Sequence, residues 1–88
     1  MKRSTDFILQ TIGDISLIVP KNREYLAGRD IITTNETGSF LWNCLQNETT
    51  RDELIKEIRS IYDIDEETAA ADIDAFLQKL QRQNALLF

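Results

Sequence analysis

Histidine is missing altogether from this 88-residue chain; cysteine, proline, tryptophan and methionine occur once each, and glycine three times. Without histidine there is no Ser-His-Asp triad, no imidazole metal ligand and no side chain that changes charge near neutral pH. The single cysteine, Cys44, permits no internal disulfide, so the fold must rest on packing, which is compatible with a reducing compartment. No apolar run approaches the length needed to cross a bilayer, and residues 1–10 lack a signal-peptide core. A cytoplasmic protein without membrane contact is the expectation. Positive charge is scarce too: ten Lys and Arg stand against fifteen Asp and Glu, a net charge of −5. Such a surface repels phosphate backbones unless its basic residues cluster on one face.

What is present suits one small α+β domain spanning 1–88, with a modest core. Hydrophobic content of 42% and charged content of 28% fit a globular chain. Met1 to Asp6 is polar and expected to be loosely held. Phe7 to Ile12 and Ile15 to Val19 predict two strands. Gly13-Asp14 between them suits a type II′ hairpin turn, because glycine accepts positive φ without a Cβ clash. Ile15, Leu17 and Val19 alternate onto one face, Ser16 and Ile18 onto the other. Pro20 has no backbone donor and ends the strand. Lys21 to Arg29 is a polar loop in which Tyr25 and Leu26 can tuck back as an anchor. Asp30 to Thr34, short and β-branched, predicts a third strand at the sheet edge.

Helical spacing then takes over. Asn35 is a good N-cap, and Glu36 favours the positive end of the helix dipole. Leu41, Trp42 and Leu45 mark one face, with Phe40 and Cys44 beside it. Gly38 in the first turn costs about 1 kcal/mol of helix propensity, which implies that something packs closely on that backbone. Thr50 and Glu53 form a capping box for a second helix, with Leu54, Ile58 and Ile61 as its core stripe and Ile55 and Tyr62 flanking. Asp65 caps a third helix from about Glu66 to Gln83. Ala69, Ile73, Phe76 and Leu80 form its stripe, extended sideways by Ala70 and Leu77. Leu86, Leu87 and Phe88 form an apolar tail expected to pack down. The predicted order is three antiparallel strands followed by three helices, a winged helix-turn-helix-like arrangement.

Few constellations carry chemistry. Asp63, Asp65, Glu66 and Glu67 crowd one interhelix turn but lack the glycine and ligand rhythm of a calcium loop, so capping explains them better. Cys44 sits on an apolar helix face with no histidine to activate it, a small hydrophobe in role. Thr33, Thr34 and Ser39 have no neighbouring general base, and Gly28 alone makes no phosphate loop. The chain reads as non-catalytic, without metal or cofactor. As a DNA-recognition element, the third helix would offer Glu66, Glu67, Asp72 and Asp74 against only Lys79 and Arg82, the wrong sign for phosphate. Lys2, Arg3, Lys21, Arg23 and Arg29 supply only scattered positive charge. An edge strand does offer unpaired N–H and C=O groups to which an extended peptide can add. On physical grounds alone, a short protected edge that binds nothing is the plainer alternative.

The run Thr34-Asn35-Glu36-Thr37-Gly38-Ser39-Phe40-Leu41-Trp42-Asn43-Cys44-Leu45 resembles the PqqD-like family, whose members show Asn-x-Thr/Ser-Gly, an aliphatic or aromatic residue, Trp and then Leu. The hairpin ending at Pro20, Thr50 to Leu54, Tyr62, Ala71-Asp72-Ile73, Phe76-Leu77, Leu80 and Ala85-Leu86-Leu87 follow in matching order. The resemblance implies a RiPP recognition element, a domain that captures the leader segment of a ribosomally made precursor peptide. It would serve a maturation enzyme: a radical S-adenosylmethionine protein, a cyclodehydratase, or a lasso-peptide protease and cyclase pair. Carried onto this chain, the leader would pair with Asp30, Ile31, Ile32, Thr33 and Thr34 in the third strand. Across the groove it would meet Ala70, Ile73, Asp74, Leu77 and Gln81 on the third helix. Asn35, Gly38, Leu41 and Trp42 would shape turn and core, and Asp72 matches an acidic family position whose role stays open. The acidic surface favours a leader with some Lys or Arg. The competing readings are a winged-helix DNA-binding transcription regulator and a structural adaptor for a folded partner. A second copy of the chain could also pair through the open edge.

Overall fold

The computed structural model describes residues 1–21 and 31–87. Among these described residues, five strands and three helices follow in the order β1 (Lys2–Arg3), β2 (Phe7–Ile12), β3 (Ile15–Pro20), β4 (Ile32–Thr34), α1 (Glu36–Cys44), α2 (Arg51–Ile61), α3 (Glu66–Arg82) and β5 (Leu86–Leu87). The expected α+β order of three antiparallel strands and three helices stands as β2, β3, β4 and α1 to α3. The strands form a sheet with β3 in the centre and β4 at one edge. The anchor expected from Tyr25 and Leu26, and Asp30 at the head of the edge strand, lie outside the described residues.

The β2–β3 hairpin closes as its residues dictate. Ile12 pairs with Ile15 across Gly13-Asp14, and Gly13 alone in that turn adopts positive φ, 59°, as the first position of a type II′ turn requires. Pairing then places Phe7 opposite Pro20, Leu9 opposite Ile18 and Thr11 opposite Ser16 on the inner face. Of the two faces of β3, Ser16, Ile18 and Pro20 point to the helices, and Ile15, Leu17 and Val19 lie outward, exposed or half-buried. Ser16 is buried without penalty because Ser39 of α1 donates to its hydroxyl at 2.6 Å, and Thr11 lies 3.4 Å away.

Each helix begins on the cap its sequence offers. Gly38 N–H donates to Asn35 Oδ1 at 3.0 Å, Glu53 N–H to Thr50 Oγ1 at 3.2 Å, and Thr68 N–H to Asp65 Oδ1 at 2.7 Å. The capping box at α2 is only half formed, since the Glu53 carboxylate accepts from the Thr49 hydroxyl instead. α3 ends in a Schellman motif: Asn84 turns left-handed at φ 57°, Ala85 N–H donates to Leu80 C=O, and Asn84 N–H to Gln81 C=O. That reversal sends β5 back to pair with β1, Leu87 opposite Lys2 and Leu86 opposite Arg3. The N-terminal segment, expected to be loose, is therefore tied down. Arg3 N–H donates to Leu45 C=O and Ser4 N–H to Ala85 C=O, both at 2.8 Å. The Arg3 guanidinium also reaches Trp42 C=O and lies 5.2 Å from the Trp42 ring centre.

The core lies between the inner sheet face and the helices. Trp42, Leu41, Leu45, Leu54, Ile58, Ile73 and Leu80 are its fully buried large side chains on the helices. The α3 stripe Ala69, Ile73, Phe76 and Leu80 is buried as its spacing predicts. On α2 the expected stripe stops one turn short: Ile61 is 62% exposed and Ile55 is buried in its place.

Gly38 explains how α1 meets the sheet edge. A Cβ there would sit 1.7 Å from Thr34 Oγ1 and 2.8 Å from Thr34 Cβ, an overlap far beyond any side-chain adjustment in place. Gly38→Ala should improve helix propensity yet destabilise the protein by about 1–3 kcal/mol through overpacking. Urea or thermal denaturation measures this, and adding Thr34→Ala should restore part of the loss.

Candidate functional site

β4 has β3 on one side; among the described residues no strand lies on its other side, so half of its backbone N–H and C=O groups face outward there. Ser16 pairs with Thr34, Leu17 with Thr33 and Ile18 with Ile32. This register buries Ile32, turns Thr33 outward and leaves Thr34 half-buried against α1. Ile31, just before the strand, is 48% exposed.

Two adjoining clefts separate this strand from α3. One, of about 310 Å³, is lined by Ile31, Ile32 and Thr33 on the strand side and Lys79, Arg82 and Gln83 on the helix side. The other, of about 230 Å³, runs on from Thr34 between the start of α1 and Asp72, Ala75, Phe76 and Lys79. The strand and the helix run in opposite directions, since Ile31 lies by the C-terminal turn of α3 and Thr34 by its middle.

Of the site residues expected from sequence, Ile31, Ile32, Thr33 and Thr34 line these clefts, and Asp30 lies outside the described residues. The expected helix set does not line them. Ile73 has no exposed surface, and Ala70 and Leu77 are half-buried against the core. Asp74 is held by α2: Arg51 Nε and Nη2 donate to its two carboxylate oxygens at 2.7 and 3.0 Å. Gln81 is exposed but belongs to neither cleft. The reason is rotational. At 100° per residue, Ala70, Asp74, Leu77 and Gln81 flank the buried stripe on one side, and Asp72, Ala75, Lys79 and Arg82 flank it on the other. The Arg51–Asp74 pair fixes the first flank against α2, so the second faces β4.

Cys44 and Asp65 take structural places. Burial, with Glu57 nearby, pushes the Cys44 thiol above its ordinary pKa, away from the reactive thiolate. In the acidic turn Asp65 serves as the α3 cap, and Arg59 Nε donates to Ile64 C=O. Among the described residues, no three His, Cys, Asp or Glu side chains come together as a metal group, and no helix is long and apolar enough to cross a membrane.

Three antiparallel strands ahead of three helices, with the last strand open beside α3, define a winged-helix-like α+β domain. A family model, that of coenzyme PQQ synthesis protein D (PqqD), matches residues 24–86, and the chain belongs to the PqqD family. Among solved structures it is similar to TbiB1 in complex with the TbiA(beta) leader peptide. The TM-score is 0.73, with 23% sequence identity over 98% of this chain and 94% of that one, a likeness of fold. No curated protein sequence matches significantly.

Two carboxyls on α3 and its cap contribute to the response to acid. Hydrogen bonds from Thr68 hold Asp65 below its ordinary pKa, and the Arg51 guanidinium does the same for Asp74. A carboxyl depressed in the folded state stabilises it fully above the unfolded value and loses that contribution as pH falls through the folded one. The melting temperature should therefore hold from neutral pH to about pH 5 and fall below about pH 4. Asp65→Asn keeps a capping oxygen but cannot titrate. Thermal scans across pH should give it a near-native melting temperature at pH 7 and a shallower acid decline.

Proposed function

We propose that the protein is a non-catalytic RiPP recognition element: it binds the leader segment of a ribosomally made precursor peptide and presents it to a maturation enzyme. The observation that carries this reading is the open β4 edge beside a cleft floored by α3, in a chain of the PqqD family. A leader strand running antiparallel along β4 gains main-chain hydrogen bonds from the outward backbone groups, and its alternate side chains turn into the two clefts. That TbiB1 was determined with a leader peptide supports the same reading for a chain of this fold. On the strand, the contacting residues are Ile31, Ile32, Thr33 and Thr34, with Asp30 next in line. On α3 they are Asp72, Ala75, Lys79 and Arg82, in place of the flank that meets α2.

The enzyme served is a radical S-adenosylmethionine protein, a cyclodehydratase or a lasso-peptide protease and cyclase pair. Each would receive its substrate already held at the leader, leaving the core segment free to react. The recognition element itself needs no cofactor for this, only a fixed edge and a groove.

Titration of the labelled precursor encoded beside its gene should show saturable leader binding and none by the isolated core peptide. On binding, amide exchange should slow within 31–34. Ala75 is exposed at the groove wall, so Ala75→Glu should weaken the leader tenfold or more, whereas Gln81→Glu on the opposite flank should change affinity less than twofold. Equal effects of the two substitutions, or exchange unchanged along β4, would show that the leader sits elsewhere.

A further inference from the structure

The net charge of −5 suggests that this protein prefers a basic peptide. The groove has a different local balance. Lys79 and Arg82 line the cleft beside Ile31, Ile32 and Thr33, and among the described residues no acidic side chain lines it. Neither cation has an ion-pair partner among the described residues, where the pairs are Met1 with Glu48 and Arg51 with Asp74. At the other end, Asp72 is exposed and lines the adjoining cleft by Thr34, with Lys79 at the junction of the two clefts. Charges farther away than about 8–10 Å are screened at physiological salt, so a bound side chain responds to these residues rather than to the total.

Resting on the leader-binding reading, we propose that this charge gradient fixes what peptide the groove takes and in which direction: Lys79 and Arg82 select an acidic side chain, and Asp72 selects against one. The expected strand runs antiparallel to β4, from Thr34 towards Ile31, and so parallel to α3. Its N-terminal part passes Asp72 and its C-terminal part passes Lys79 and Arg82. From Asp72 to Lys79 the helix rises about 10 Å and to Arg82 about 15 Å. An extended chain covers that distance in roughly three to five residues. Side chains entering the same groove alternate, so the favoured spacing is four. The recognised segment carries a Lys, Arg or neutral residue at one position and an Asp or Glu four residues later. A strand laid down in the reverse direction brings its acid to Asp72 and its cation to Lys79 and Arg82, and like charges then oppose it at both ends. Main-chain pairing at an edge discriminates poorly between directions and registers; the charges supply that discrimination.

The test uses the full chain and a library of random dodecapeptides, selected in parallel on the native protein and on Lys79→Glu/Arg82→Glu. Recovered peptides are then measured by fluorescence anisotropy at low salt and at high salt. Both substitutions lie at exposed positions; Lys79→Gln/Arg82→Gln serves as a second variant if melting shows the reversal to be unfolded. The expected result is enrichment of Asp or Glu on the C-terminal side of the native-selected peptides and of Lys or Arg there for the reversed protein. Each charge removed should weaken a native-selected peptide by about two- to fivefold, the double reversal by about tenfold or more, and high salt should narrow the difference. Peptides that slow exchange within 31–34 yet show no charge preference, and bind both proteins equally, would overturn the gradient and leave leader binding standing. If no recovered peptide protects 31–34, both readings fall.

Discussion

The approach of Gly38 to Thr34 is the contact on which the rest of the molecule depends. α1 starts one residue after β4 ends, so strand and helix must turn sharply against each other, and only a residue without Cβ lets the first turn reach the Thr34 side chain. Asn35 closes the turn by accepting from Gly38 N–H. Once that corner is set, Trp42 and Leu41 are carried into the core, Ser39 meets Ser16 of the central strand, and β4 is held at a fixed height above α3. The groove is thus a by-product of a corner. Its walls are a strand and a helix, each fixed by its own packing against the core.

Much of this was legible in the residues. Hairpin, caps and the α3 stripe each have a local cause: Gly13 for the turn, Asn35, Thr50 and Asp65 for the caps, and 3.6-residue spacing for Ala69, Ile73, Phe76 and Leu80. Three things were not. The two-residue pairing of β1 with β5 depends on a left-handed Asn84, for which Gln-Asn-Ala offers only a weak signal. The exposure of Ile61 reflects where the neighbouring helix ends, which no pattern within α2 records. And periodicity identifies the buried stripe of a helix without saying which flank meets which neighbour. The clefts beside β4 are therefore lined by Asp72, Ala75, Lys79 and Arg82, and not by Ala70, Asp74, Leu77 and Gln81 across the same helix. A long-range pair, Arg51 with Asp74, turns the flank that carries Asp74 towards α2.

Charge illustrates the same limit at another scale. A composition rich in Asp and Glu argues against phosphate backbones as ligands, and it gives the wrong sign for the groove, where two cations stand beside the strand edge. Much of the acidity sits elsewhere: Asp65 in a cap, Asp74 in an ion pair, and Glu48 at the amino terminus of Met1. Net charge governs long-range approach and colloidal behaviour, while the local arrangement governs recognition.

The Schellman turn at Asn84 has a consequence for how the chain acquires its structure. By sending β5 back to β1 it joins residue 87 to residue 2, so the final pairing closes a loop of almost the whole chain. Contacts so distant in sequence are entropically late events, formed after the local hairpin and helices are in place. During synthesis the segment that seals Trp42 beneath Arg3 can lock only when the last strand has emerged. Until then the hairpin, the corner and the three helices form a partly closed domain, with the β4 edge among the first elements to be framed.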